Sequence, residues 1–168
     1  MEKKEYIRAH FTNSENLIIQ EQERKQNWFK PLGFWYEIDN SWEQWVSNEM
    51  PDWLTQRYPY KFRIEIDLTN ILVIDTPEKF IKFHEEFSGR EKPDDYYRQI
   101  DWPLVSQVYD GIEITRYFHQ FRMEREYNWY YPWDVASGCI WRNYKCITVK
   151  EPLERTTPVY NNYDENYN

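Results

Sequence analysis

The chain has 168 residues, a length typical of one domain around a single core. Its formal net charge of -8 argues against non-specific attraction to nucleic-acid phosphates or anionic membranes. No stretch resembles a signal peptide or approaches the ~20 apolar residues of a membrane-spanning helix, so we expect a cytoplasmic protein. Aromatic residues make up 20% of the chain, with 9 Trp and 15 Tyr, and these rings either line a cleft for a planar or sugar-like ligand or serve as bulky core and surface residues.

Short strands and one helix are predicted in the first third of the chain. Alternation of apolar and polar residues predicts a strand over residues 5–12, whereas residues 13–26 are either a short helix or a loop that crosses the sheet. A turn signal at residues 30–33 leads into a second strand over residues 33–38, which is rich in aromatic residues. Apolar residues at helical spacing then predict a helix of about two turns that ends before Pro51.

The middle of the chain contains the clearest alternation. Residues 61–68 alternate cleanly between apolar and charged side chains, and residues 71–74 form a continuous apolar run, so both are predicted strands. Pro77 follows a capping Thr76 and predicts the start of a helix with an apolar stripe. A charged loop over residues 88–95 and a short helix within residues 100–108 complete this part.

The last third is predicted to be β-rich, with strands in residues 111–115 and 138–149, the second of them one strand or one hairpin. Cys139 and Cys146 lie there without a CxxC pair or a companion residue at ligand spacing, so we expect buried thiols and no metal site. Residues 1–155 form the predicted domain, and residues 156–168 form a low-complexity tail.

One isolated acid, Asp134, lies among aromatic residues just before a predicted strand. Apolar walls strengthen the electrostatic effect of a carboxylate between them, which makes this segment the first candidate site. The alternative is that Asp134 caps a turn after Pro132. Among the other polar residues of this half, Asp110 is interpreted as a turn former, and Glu113 as a strand residue that faces solvent.

Three short motifs follow one another along the chain. His10-Phe11-Thr12 ends the first predicted strand, and Gly33-Phe34-Trp35-Tyr36 begins the second, with Ser41 at the following helix start. Tyr109-Asp110-Gly111-Ile112 is the third motif. The first two resemble motifs of the His-Tyr-Glu branch of the ADP-ribosyltransferase superfamily, and the third resembles a turn that several members of the superfamily carry ahead of the strand with the catalytic Glu.

The resemblance implies an α+β domain with a split or strongly bent antiparallel β-sheet, flanked by short helices, that binds NAD as a substrate in a cleft. It implies transfer of ADP-ribose to a protein or nucleic-acid acceptor, and an inhibitor or immunity partner where such a transferase is toxic. The family carries a catalytic Glu on the strand after the third motif. Here the strand at residues 137–141 has no Glu at its start, and Asp134 or Ser137 is the nearest candidate.

Breaking the bond between nicotinamide and ribose requires an aromatic face for the leaving ring, a partner for the ribose hydroxyls and a negative charge near the developing cation. Trp35, His10 and Asp134 are residue types that suit these three roles, and they are the predicted catalytic residues. The predicted NAD-binding residues are those next to them in the motifs: Thr12, Gly33, Tyr36, Ser41 and Ser137.

Each of these residues also has a structural interpretation, since strand aromatics such as Trp35 usually belong to the core and a His at a strand end is often a surface residue. His84 and His119 are interpreted as structural. Two other functions remain open. One is a non-catalytic binding module that holds a nucleotide or sugar in an aromatic cleft. The other is an acidic interaction protein that mimics the charge of nucleic acid.

Overall fold

One curled β-sheet forms the centre of the chain in the computed structural model, which describes residues 4–21, 25–26, 29–89, 99–150 and 154–156. Its strands are β1 (Arg8–Thr12), β2 (Phe34–Ile38), β3 (Tyr60–Ile66), β4 (Ile71–Ile74), β5 (Gly111–Ile114), β6 (Ser137–Ile140), β7 (Ile147–Val149) and β8 (Glu154–Arg155). The order across the sheet is β4-β5-β6-β2-β1-β3-β7, and β8 pairs with the start of β3. The α+β prediction is therefore confirmed, with one continuous sheet.

The sheet is antiparallel except for one parallel pair, β4 and β5. A fully antiparallel sheet was expected from the sequence, and this pair corrects that expectation. Parallel neighbours need a long crossover between them. The chain between residues 75 and 110 supplies it, and the described part of this range contains two helices.

The helices are short, and three of the five α-helices in the described residues were predicted: the helix that ends before Pro51, the helix that begins at Pro77 and the helix within residues 100–108. The five are α1 (Ser41–Glu49), α2 (Asp52–Gln56), α3 (Pro77–Phe87), α4 (Trp102–Val108) and α5 (His119–Arg122), with 3₁₀ helices at Arg125–Trp133 and Tyr144–Cys146. The Thr76 hydroxyl accepts a hydrogen bond from the backbone N–H of Lys79 at 3.3 Å and caps α3. Asp101 caps α4 in the same way through Leu104, at 3.0 Å.

One face of the sheet carries an aromatic core. We call it the cleft face; strand register places Ile112, Cys139, Trp35 and Glu37 on it. α3, α4 and the 3₁₀ helix Arg125–Trp133 contribute a buried cluster packed against one side of this face. Five aromatic rings surround Phe80 with centroids 4.5 to 5.6 Å away, namely Phe118, Phe121, Tyr127, Trp129 and Tyr130. Much of the aromatic excess is therefore core.

The opposite face holds a buried ionic network, and Glu113 belongs to it. This carboxylate is fully buried, which corrects the interpretation of Glu113 as a solvent-facing residue. It accepts hydrogen bonds from Arg8 Nε and Nη2 at 2.6 and 2.8 Å and from the Tyr36 hydroxyl at 2.9 Å. Burial and this carboxylate raise the pKa of Tyr36 well above its usual value. The network ties β1 and β2 to β5.

The prediction of one strand or one hairpin over residues 138–149 is wrong. β6 lies between β5 and β2, whereas β7 pairs with β3 on the far side of the sheet. The chain turns between them at Asn143, which has φ 57° and ψ 53° and precedes the 3₁₀ helix Tyr144–Cys146. Asn tolerates this left-handed conformation better than most residues. Cys139 and Cys146 are both free thiols.

The structure describes part of residues 13–26 and the first residue of the predicted tail, residues 156–168. Residues 13–21 contain no helix and form an irregular segment whose Leu17 and Ile19 pack on the face opposite the cleft. Thr156, the first residue assigned to the tail, is buried, and its hydroxyl donates to the Leu54 carbonyl at 2.6 Å. Residues 157–168, and residues 90–95 of the predicted charged loop, lie outside the described residues.

Candidate functional site

A cleft of about 420 Å³ opens where β1 and β2 separate. The two strands pair only at Arg8–Ile38 and Ala9–Glu37, although β1 continues beside β3 to Thr12 and β2 runs beside β6 from Phe34. The sheet thus divides locally at one end of this pair. The volume lies within the range of about 300 to 1,000 Å³ that small-molecule sites occupy.

The side chain of His10 connects β1 to β2 beyond their last paired residues. Its Nδ1 donates to the backbone carbonyl of Trp35 at 2.6 Å, and its ring stacks on Phe34 with centroids 4.1 Å apart. Because a carbonyl oxygen only accepts, the hydrogen resides on Nδ1. Burial lowers the pKa of His10, so the imidazole is neutral at pH 7 and Nε2 is its acceptor atom. His10 is one of the residues that line the cleft, although strand register places its side chain on the face of the sheet opposite Trp35, where it stacks on Phe34.

Trp35 forms part of the cleft wall, and several contacts fix its indole. Its Nε1 donates to the Pro31 carbonyl at 3.2 Å, and its ring meets that of Trp133 edge to face at 5.1 Å. The ammonium of Lys30 lies 4.5 Å from its ring centroid. A cation on an indole face at this distance is an attractive contact.

Lys30 places a positive charge inside an aromatic corner of the cleft. Its Nζ donates to the Pro132 carbonyl at 2.6 Å and lies 5.7 Å from the centroid of Trp133. Burial lowers the pKa of this amine, while the charge of Asp134 acts in the opposite direction. The rings of Trp35 and Trp133 therefore already contact one cation, the ammonium of Lys30.

Asp134 lies on the same cleft and is also a turn residue. Its φ of 58° is in the region that Asp and Asn enter more readily than bulkier residues. The side chain is half-buried, and Oδ1 lies 3.5 Å from Arg122 Nη2. Part of the carboxylate charge is consequently balanced by a cation at the rim.

The structure brings some of the remaining predicted residues to this cleft and not others. Gly33, Tyr36 and Ser137 line it, although the Tyr36 hydroxyl is directed to Glu113 on the opposite face. Thr12 lies instead in a second, neighbouring hollow. The Ser41 hydroxyl donates to the Ala136 carbonyl at 2.6 Å and is not among the lining residues.

Eight lining residues were not predicted from the sequence: Phe11, Lys30, Glu37, Trp42, Trp45, Tyr58, Trp133 and Val135. For Glu37 a signal was present, since residues two apart on a strand share a face and Glu37 follows Trp35 at that spacing. A carboxylate in an otherwise aromatic strand is a second signal. Trp42 and Trp45 belong to α1 and also line the cleft. The ring centroids of Trp42 and Phe11 are 4.7 Å apart.

Comparisons with protein-family models, with curated proteins and with solved structures find no match for this chain. Within the part of the chain that the structure describes, no group of His, Cys, Asp and Glu side chains is arranged to hold a metal ion. None of the described helices has both the length and the apolar character needed to cross a bilayer.

Proposed function

We propose that this chain is an NAD-dependent ADP-ribosyltransferase-like protein. In the proposed reaction the bond between nicotinamide and ribose breaks, and the ADP-ribosyl group passes to a macromolecular acceptor. The proposal extends to the fold, because the resembling motifs imply a sheet that divides at the NAD site. The local separation of β1 and β2 supports this assignment.

The observation that carries the proposal is that His10, Trp35 and Asp134, distant in sequence, border one cleft. In the proposed complex the nicotinamide ring packs on the indole of Trp35. The neutral His10 accepts a hydrogen bond from a ribose hydroxyl through Nε2. The carboxylate of Asp134 contributes negative charge near the ribose as it becomes positive.

The test is to incubate the protein with NAD and to quantify free nicotinamide by chromatography. His10→Ala is expected to lower the rate about 10-fold, the value of one lost hydrogen bond, and Asp134→Asn by about 100-fold. His119→Ala and Asp52→Asn are matched controls, since both residues are exposed and lie outside the cleft. Equal rates in His10→Ala, Asp134→Asn and wild type would reject the assignment of these residues.

A second candidate function is a non-catalytic module that binds a nucleotide or sugar. The observation in its favour is that β6 begins with Ser137 and carries no Glu. Aromatic side chains contribute about 1–3 kcal/mol for each stacked base, enough for binding without turnover. A rise in unfolding temperature with NAD, without nicotinamide release, would identify this function.

A further inference from the structure

A second hollow of about 450 Å³ adjoins the cleft where β1 ends and the chain leaves α2. Its lining residues are Phe11, Thr12, Asn13, Gln56, Arg57 and Tyr58. Phe11 and Tyr58 line the cleft as well, so the two cavities meet along these two rings. A ligand that enters the cleft can therefore extend into the hollow.

The hollow differs in chemistry from the cleft. Glu37 and Asp134 are among the lining residues of the cleft, whereas the hollow has one cation and no acid among its lining residues. Each of its four polar side chains carries a hydrogen-bond donor. The Thr12 hydroxyl accepts from the backbone N–H of Ser14 at 3.3 Å, which leaves its own hydrogen for another acceptor.

Arg57 is the cation of the hollow, and an aromatic ring positions it. The central carbon of its guanidinium lies 4.7 Å from the ring centroid of Trp53. A guanidinium over a ring uses its face for that contact, so the N–H donors in its plane stay available for an acceptor. Within the described part of the chain, no carboxylate forms an ion pair with Arg57. This exposed cation is therefore held in place and has donors to offer.

The carbonyl groups that end α2 are largely engaged. The Trp53 carbonyl accepts from the backbone N–H groups of Arg57 and Tyr58, at 2.9 and 2.8 Å. The Leu54 carbonyl accepts from the Thr156 hydroxyl at 2.6 Å. Free carbonyls at a helix C-terminus disfavour an anion nearby. Their engagement lessens that effect beside the guanidinium.

Aromatic rings form the boundary between the hollow and the cleft. The ring of Trp42 lies 4.7 Å from that of Phe11 and meets that of Tyr58 edge to face at 5.3 Å. All three residues line the cleft. Bases stack on such side chains whatever their sequence identity. The combined site thus offers aromatic faces on one side and hydrogen-bond donors with a positive charge on the other.

We propose that this combined site binds a nucleoside monophosphate, with the base against the aromatic rings of the cleft and the phosphate in the second hollow, held by Arg57. A terminal phosphate has three acceptor oxygens, which suit the guanidinium together with the neighbouring hydroxyl and amide donors. A carboxylate would use fewer of these donors. The inference goes beyond the proposed function, because it concerns binding of a terminal phosphate and requires no bond to break.

The test is isothermal titration of the wild-type protein and two variants with AMP and with adenosine, which lacks the phosphate. Arg116→Gln is the matched control for Arg57→Gln: Arg116 is also exposed, lies 5.1 Å from the ring centroid of Phe118, and lines neither cavity. We expect the wild type to bind AMP at least about 10-fold more tightly than adenosine, and Arg57→Gln to lose about 10-fold in AMP affinity alone. Arg116→Gln should bind both ligands as the wild type does.

Arg57→Lys separates the shape of the guanidinium from its charge. This variant keeps the positive charge but loses the planar set of donors, so we expect a loss of about 3-fold for AMP and none for adenosine. Thermal unfolding reports whether each variant folds, and Arg57→Lys serves as the test if Arg57→Gln does not fold. The preference for AMP should also fall as salt is added, since the phosphate contact lies near solvent.

Two results would overturn the inference. The first is a wild-type protein that binds AMP no better than adenosine, or binds neither. The second is an equal loss of AMP affinity in Arg57→Gln and Arg116→Gln, which would show an effect of overall charge without a site at Arg57. A preference for AMP that depends on Arg57, found without nicotinamide release from NAD, would support this inference while the proposed function fails.

Discussion

Lys30 occupies a place in the cleft that a cationic ligand would also favour. Its ammonium lies on the indole of Trp35, and the nicotinamide ring of NAD carries a positive charge that the same indole face would attract. A ligand at Trp35 must therefore displace this lysine or accept a second cation beside it. Either course costs binding free energy.

We expect Lys30→Met to bind NAD several-fold more tightly than wild type. Removing the ammonium eliminates a competing cation–π contact of about 0.5–2 kcal/mol and one like charge near the nicotinamide. Isothermal titration with NAD measures the effect, with Lys79→Met as the control, since Lys79 is exposed and lies outside the cleft. Weaker binding by Lys30→Met would show that Lys30 holds the ligand and does not compete with it.

Some residues of the cleft could be predicted from the sequence, and others could not. His10, Trp35 and Asp134 could be selected because each residue type matches one requirement of the proposed chemistry. Glu113 was misplaced because its partners, Arg8 and Tyr36, are 105 and 77 positions away in the chain. No local pattern reveals a carboxylate that is buried by partners so distant.

At the scale of elements, a glycine in β6 makes room for a side chain of the neighbouring strand β2. A Cβ atom at Gly138 would overlap the ring of Tyr36, whose hydroxyl reaches Glu113 over the same spot. The missing side chain lets Tyr36 lie flat across β6. This contact helps to fix β2, the strand that carries Trp35 and Glu37.

Gly138→Ala is expected to destabilise the fold by about 1–3 kcal/mol, the usual effect of overpacking a core. Urea denaturation measures this free energy of unfolding. Gly89→Ala is the control, because the nearest atom to its Cβ is the Gln99 carbonyl oxygen at 3.7 Å, an ordinary contact. A Gly138→Ala variant as stable as Gly89→Ala would mean that Tyr36 does not pack as described.

Elements defined by local pattern were predicted well. The alternation of residues 61–68 and the apolar run at residues 71–74 correspond to β3 and β4, and the Thr76 cap marks the start of α3. Pairing between distant strands was not predictable in this way. The sequence placed residues 138–149 in one strand or hairpin, because nothing in that segment shows that β7 belongs beside β3.

For the whole molecule, the ion pair between Arg8 and Glu113 reports the curl of the sheet. β1 and β5 are separated by β2 and β6, so about three strand spacings of ~4.8 Å would divide them in a flat sheet. Arg8 Nε nevertheless lies 2.6 Å from a carboxylate oxygen of Glu113, so the sheet curls toward the face that carries these two side chains. The same curl accompanies the separation of β1 from β2 at the cleft.

Glu113→Ala should destabilise the protein by about 3–5 kcal/mol, because it leaves the largely buried guanidinium of Arg8 without its partner. Glu65→Ala breaks an exposed pair with Lys150 and should cost no more than about 1 kcal/mol. Chemical denaturation of both variants provides the comparison. Similar small losses in the two would show that the buried network does not hold the sheet together.

The most direct test of the central claim is the time course of free nicotinamide when the wild-type protein is mixed with NAD, beside a heat-denatured sample. We predict release that is proportional to protein concentration and faster than in the denatured control. Release at the rate of the denatured sample, with no change in unfolding temperature on adding NAD, would contradict it.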